Sequence, residues 1–139
     1  MSKISIWCAN WAPQLLSILR IITAFLFMEH GMMKLFGFPS PMGDIPLLSL
    51  MGLAGALEVF GGLLILIGLF TRPIAFLLSG EMAFAYFMAH APQGFWPVLN
   101  HGEPAVLYCF IFLYFAAAGG GPWSVDRLFA QRNQHASTP

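Results

Sequence analysis

Four apolar runs divide the chain: about Gln14 to Phe36, Pro46 to Phe70, Pro73 to His90 and Pro104 to Gly121. Turn-forming residues bound them. Gly37-Phe38-Pro39-Ser40-Pro41 stops the first, Thr71-Arg72-Pro73 joins the second and third as a helical hairpin, and Gly119-Gly120-Gly121-Pro122 ends the fourth. At 1.5 Å per residue the first run reaches roughly 34 Å, enough for a ~30 Å hydrocarbon core. The second carries Gly52, Gly55, Gly61, Gly62 and Gly68, which would weaken a helix in water but let helices approach closely in a membrane. The pattern predicts an all-α protein, an integral membrane four-helix bundle over residues 14–128. An interfacial lead (1–13) precedes it, and a polar tail (129–139), mobile at its end, follows. In the lead, Trp7 and Trp11 share a helical face suited to the membrane–water interface, and Pro13 suits the first turn of the helix that follows.

Composition supports the membrane class. Hydrophobic residues make up 58% of the 139-residue chain and charged residues 9%, against roughly 25% charged in a soluble domain, so too few charges exist to cover a water-exposed surface. Net charge is zero and no basic block points to nucleic acid. Cys8 and Cys109 form no C-x-x-C, and Cys109 lies inside an apolar run, so neither a disulfide nor a reactive thiol is expected. His30, His90 and His101 lack metal-ligand spacing, and no metal is expected. The first run is too long for a signal peptide and no small-x-small site follows it, so it is expected to remain as a span. Lys3, Arg72, Arg127 and Arg132 fall on one side of a four-span chain, which places both termini in the cytoplasm. The 3–4 connection, with Phe95 and Trp96, then faces outward, as a membrane-surface loop or as a lid over the bundle.

The apolar runs carry ionisable groups where they are costly, about 2.5–3.5 kcal/mol each at a helix centre. The first has Arg20, Glu29, His30 and Lys34, the second Glu58 and the third Glu81. Depth counting pairs Arg20 with Glu81, with Glu58 as a second partner, since a guanidinium takes a carboxylate bidentately. Near the outer surface it pairs Lys34 with Glu103, unless Lys34 snorkels. At 100° per residue Arg20, His30 and Lys34 fall within about 80° of one another and define the inward face. Glu29 points the other way, toward another helix, a second protomer or the outer interface. The candidate ligand-binding or polar-core residues are therefore Arg20, His30, Lys34, Glu58, Glu81 and Glu103. Glu29, His90 and His101 are accessory, His90 because it opposes Glu81 on a straight helix. Such charges either fix helix register or line a polar, proton-linked cavity; the second is the commoner use of intramembrane ionisable groups.

Three stretches carry a likeness. Arg20 with Phe25-Leu26-Phe27 and His30-Gly31-Met32-Met33-Lys34-Leu35-Phe36-Gly37-Phe38 resembles the first helix of the DoxX family. Gly55-x-x-Glu58-x-x-Gly61-Gly62 through Gly68-Leu69-Phe70-Thr71-Arg72 is similar to its second helix and turn, and Gly119-Gly120-Gly121-Pro122-Trp123-Ser124-Val125-Asp126 to its closing motif. The resemblance implies a four-helix protein of the bacterial inner membrane. In this family some members belong to thiosulfate:quinone oxidoreductase or thiol-stress systems and many have no assigned activity. Arg20, His30, Gly31, Lys34, Glu58, Arg72, Glu103, Ser124 and Asp126 carry over, whereas Glu29 stands where an apolar residue is usual. The functional expectation is a redox-associated protein whose polar cluster binds a quinone or similar amphiphile. If it is enzymatic, it is a quinone-linked oxidoreductase subunit with a redox protein partner. The alternative is a non-catalytic scaffold or assembly subunit. A transporter ranks third, because four short helices without an inverted repeat would need a homo-oligomer.

Overall fold

A serine starts the first helix: Ser2 Oγ accepts the Ser5 amide at 3.2 Å. In this computed structural model, which describes residues 2–136 but not the side chains of Lys3, Ile4, His135 and Ala136, α1 runs unbroken from Lys3–Phe36. The lead is thus part of the first helix, and Pro13 lies inside it rather than in its first turn. Proline removes one backbone donor, which membrane helices tolerate; one turn further on, Ser17 Oγ donates back to Pro13 O at 3.4 Å. The 34 residues of α1 reach about 51 Å, more than one bilayer core requires. Trp7 and Trp11, with ring centroids 6.1 Å apart, are exposed on its N-terminal extension.

Gly37 closes α1 in the left-handed conformation. Helix α2 (Leu50–Ile67) begins after Ser49, whose Oγ accepts the Gly52 amide at 3.1 Å, and ends at left-handed Gly68. Helix α3 (Thr71–Ala85) follows at once and continues as a π-helical turn, Tyr86–His90, and a short 3-10 turn, Ala91–Gln93. Helix α4 spans Glu103–Ala118, and α5, Val125–Ala136, turns the expected polar tail into a helix. Residues 137–139 lie outside the described residues.

Among the described residues the chain is helical without strands, and it forms an integral membrane four-helix bundle. Helices α1, α2 and α3 with its continuation are long and apolar enough to cross a bilayer; α4, at 16 residues, is shorter. Phe25, Phe60, Phe76 and Phe110 point outward with Ile22 and Leu107, as lipid-facing residues should. The dry centre is Ala24, Phe27, Ile65, Leu78, Phe112 and Phe115. Helices α1 and α2 pack closely, as do α3 and α4, while α1 and α4 touch sparingly.

That difference is written in the residues. Gly31 of α1 meets Gly55 O at 2.7 Å from where a Cβ would sit, and Glu58 Cβ at 2.8 Å, so only glycine admits this approach. Between α1 and α4, rings separate the backbones: Phe27 stands 5.1 Å from Tyr108 and 4.8 Å from Phe112, centroid to centroid.

Candidate functional site

The buried charges separate into two groups at opposite ends of the bundle. At the end that holds the termini, Arg20 is fully buried, and its partners are backbone carbonyls. Nε donates to Gly120 O at 2.8 Å and Nη2 to Trp123 O at 2.6 Å, while Nη1 donates to Ile65 O and Leu66 O. The last carbonyls of a helix have no intrahelical donor, and a cation there also meets the negative end of the helix dipole. Arg20 thus caps α2 from inside the bundle and ties it to the glycine-rich segment after α4. The expected pairing of Arg20 with Glu81 or Glu58 is not formed; the carboxylate acting on Arg20 is Asp126. Backbone carbonyls of the α2 end and of the glycine-rich segment lie nearer than any acid and take four of the guanidinium's five N–H donors.

The same end is closed by two further caps. Asp126 Oδ1 accepts the Phe70 amide at 2.8 Å and Oδ2 the Thr71 amide at 2.9 Å, holding the start of α3, while the Asp126 amide donates to Gly68 O at 2.9 Å. Arg72 Nη1 donates to Ala116 O and Ala117 O at the end of α4. Gly68 has φ +71°, and a Cβ there would run into Ser124 and stand 3.1 Å from Arg20 Cζ. Gly68, Arg72, Gly120, Ser124 and Asp126 are parts of one capping knot around Arg20.

At the other end all four long helices converge on a polar cluster. Lys34 of α1 meets Glu58 Oε1 of α2 at 2.5 Å, with side chains 13% and 3% exposed. The expected Lys34–Glu103 pair is not formed, and Glu103 is exposed at the start of α4. The reason is where α2 starts. With α2 beginning at Leu50 rather than Pro46, Glu58 lies about 12 Å from the N-terminal end of its helix, within reach of an inward-pointing Lys34. Glu58 Oε2 is buried and makes no hydrogen bond among the described residues. Glu81 of α3 lies within electrostatic reach of Glu58 and Lys34, and both its carboxyl oxygens are buried with no hydrogen-bond partner among the described residues. Tyr108 of α4 is half-buried and lies within electrostatic reach of Glu58 and Glu29.

His30 interacts with Glu58 and stands edge-on to Tyr108, with centroids 6.0 Å apart. Its ring is exposed, at the rim of the inward face rather than within it. Glu29 is half-buried, and its reach is toward Tyr108 on α4. His30, Tyr108, Phe27 and Phe112 together fill the α1–α4 seam, the first two toward its rim and the last two in the dry centre. A cleft of about 440 Å³ lies under the 37–46 loop, lined by Lys34, Gly37, Pro41 and Asp44.

His90 and His101 stay outside the cluster. His90 Nδ1 lies 2.9 Å from Asn100 O in the 3–4 connection, and His101 is exposed. Asn100, which sequence reasoning passed over, is buried and organises that connection: its Nδ2 donates to Gly94 O at 2.7 Å and its Oδ1 accepts the Gly102 amide at 2.8 Å. Phe95, Trp96 and Leu99 project from the connection, exposed. Tyr108 was also missed; two phenols, Tyr108 and Tyr114, in a run without charges were the available signal. Among the described residues no three His, Cys, Asp or Glu side chains come together as a metal site. Cys8 and Cys109 are free thiols, and Cys109 receives the Ser79 hydroxyl on its carbonyl at 2.8 Å.

A polytopic helical bundle that brings together a lysine, two glutamates and a half-buried tyrosine from four helices defines a small integral membrane protein with a polar cluster between its helices. The chain belongs to the DoxX family, whose profile matches residues 15–91. An uncharacterized protein of Haemophilus influenzae is 42% identical over 133 residues, covering 88% of this chain and 96% of its own length. An uncharacterized membrane protein of Mycobacterium tuberculosis is 25% identical over 142 residues, covering 89% of this chain and 86% of its own length. No solved structure matches the chain significantly. The family match covers Arg20, Lys34, Glu58 and Glu81 but stops before Tyr108 and the closing motif, whose part in the fold stands on the capping geometry above.

Proposed function

We propose that the outer polar cluster binds the headgroup of a membrane amphiphile of the quinone or quinol type and exchanges protons with it. The observation that carries this reading is Glu81, a buried carboxyl with neither oxygen partnered, beside a Lys34–Glu58 pair whose Oε2 is also free. Buried carboxyl oxygens without donors are expensive, and a ligand that brings O–H groups offsets that cost. A quinol supplies two phenolic hydroxyls. The oxidised form presents carbonyls, for which Lys34 has spare ammonium protons and Tyr108 a phenol. The headgroup reaches the cluster sideways from lipid, past exposed His30 and half-buried Tyr108 at the rim of the α1–α4 seam. The isoprenoid tail stays among the lipid-facing aromatics.

The chain's own part is binding and proton exchange: Glu81 and Glu58 accept the quinol protons, and the cleft at Lys34 leads to water. Electrons are exchanged with a redox protein partner. The membrane is the bacterial inner membrane, with both termini in the cytoplasm. Exposed Arg72, Arg127 and Arg132 lie at the termini end, whereas exposed Asp44 and Glu103 lie at the other.

The test is a titration of the detergent-solubilised full chain with a short-tailed benzoquinol. Saturable binding is expected, weakened about 10-fold by Glu81→Gln, the value of one hydrogen bond, and unaltered by Glu103→Gln. Equal binding by wild type and Glu81→Gln, with both folded, would count against the reading.

The non-catalytic scaffold remains the second reading, and one observation favours it: Arg20, the most deeply buried cation, holds only backbone. If the outer cluster were structural in the same way, Glu81→Gln would change stability and no ligand affinity.

A further inference from the structure

The end of the bundle opposite the Glu81 cluster holds a cleft of about 680 Å³ between the 68–73 turn, the glycine-rich segment and α5. Three ionisable groups line it: Arg72, Asp126 and Arg127. The acid is already committed, since both its oxygens accept amides of α3. The bases are not. Arg72 uses Nη1 on the α4 carbonyls, and its Nε and Nη2 find no acceptor among the described residues. The exposed Arg127 guanidinium makes no hydrogen bond or ion pair among them either. In the wall, Thr71 is fully buried and its Oγ1 has no partner. The cleft therefore holds a surplus of donors and positive charge with no acceptor to match. Guanidinium groups in that state suit a phosphate, which they grip through two N–H bonds at once.

What surrounds the cleft narrows the source. Phe70, exposed, and Leu16, half-buried, line it, and Trp123 and Phe129 are exposed at the same end. A dissolved anion needs none of these; a lipid with a phosphate at the interface and acyl chains below has a use for all of them. We infer that this cleft is a binding site for the phosphate headgroup of an anionic phospholipid, in the leaflet on the side of the termini. Arg72 and Arg127 hold the phosphate oxygens, and the glycerol and first methylenes lie against Phe70 and Leu16. The site is independent of the quinone reading, because it shares no residue with the outer cluster.

The experiment reconstitutes the full chain in phosphatidylcholine nanodiscs doped with phosphatidylglycerol and counts, by native mass spectrometry, the lipids that remain after release. Wild type should retain phosphatidylglycerol over phosphatidylcholine. Arg127→Gln should lower that retention about five-fold, the effect of one basic residue at a membrane surface, and Arg72→Gln/Arg127→Gln should abolish the preference. Arg132→Gln, on the same helix but outside the cleft, should leave it unchanged. Because Arg72 also caps α4, Arg127→Gln alone decides the matter if the double variant does not fold. Equal retention of the two lipids by wild type, or equal losses for Arg127→Gln and Arg132→Gln, overturns the proposal. So does arginine-dependent binding of inorganic phosphate without any lipid preference, which would make the cleft a site for a soluble anion.

Discussion

Arg20 and Lys34 sit on one helix and solve the problem of a buried cation in different ways. Arg20 spreads its charge over carbonyls from α2 and the glycine-rich segment; Lys34 meets a single carboxylate oxygen. Different substitutions should therefore be tolerated. Arg20→Lys cannot reach four carbonyls from one nitrogen, and it should cost roughly 3 kcal/mol or more through carbonyls left unpaired, seen as a lower Tm in detergent. Lys34→Met leaves Glu58 as an uncompensated buried charge and should cost about 3–5 kcal/mol, much of it recovered in Lys34→Met/Glu58→Gln. A double variant no more stable than Lys34→Met would show that the pair is not coupled as described. At this scale the sequence was partly legible. It named the ionisable residues, because charges in apolar runs stand out. It could not name their partners, because the acceptors that claim Arg20 are backbone carbonyls and carry no mark in the side-chain code. The inward-face estimate held for Arg20 and Lys34, both packed inside, but His30 lies about 80° from Arg20 on the helical wheel, at the rim where the ring is exposed.

At the scale of elements, spacing between helices is set by residue size. Gly31 draws α1 onto α2, and this brings Lys34 to Glu58. Gly31→Ala should push the helices apart, cost about 1–3 kcal/mol by overpacking, and weaken quinol binding as well, a combination that separates it from a substitution in lipid-facing Phe60. Asp126→Ala should cost about 1 kcal/mol through the lost cap on α3, again read from Tm. The apolar runs and their turn residues were enough to locate the long helices. Their ends were less legible. Ser49 caps α2 after the loop that follows Pro46, and this shift re-paired Glu58. Helix α5 was hidden because its residues are mostly polar; its start is visible only once Ser124 Oγ is seen to accept the Arg127 amide at 3.3 Å. The π-helical turn at Tyr86–His90 leaves no mark in hydropathy, and it carries His90 toward Asn100.

On the scale of the molecule, the division of labour runs along the membrane normal. The termini end is a knot of caps in which buried groups are largely satisfied, with Thr71 Oγ1 the exception. The other end keeps three carboxyl oxygens of Glu58 and Glu81 without partners. Arg20 and Lys34 lie 14 positions apart on α1, about 21 Å, so removing an acid at one end need not disturb the caps at the other. Orientation can be checked in intact cells with Cys8 and Cys109 replaced by serine: a cysteine at Asp44 should react with an impermeant maleimide, and one at Arg132 only after the membrane is opened. The reverse pattern would invert the topology.

The central claim is that Glu81 and its neighbours hold a ligand headgroup. The most direct measurement is mass spectrometry of the small molecules that accompany the protein when it is extracted gently from its own membrane, wild type beside Glu81→Gln at matched Tm. The account predicts a near-stoichiometric quinone or quinol with the wild type and its loss from the variant. A folded wild type that carries no such molecule, or a variant that carries as much as the wild type, would contradict it.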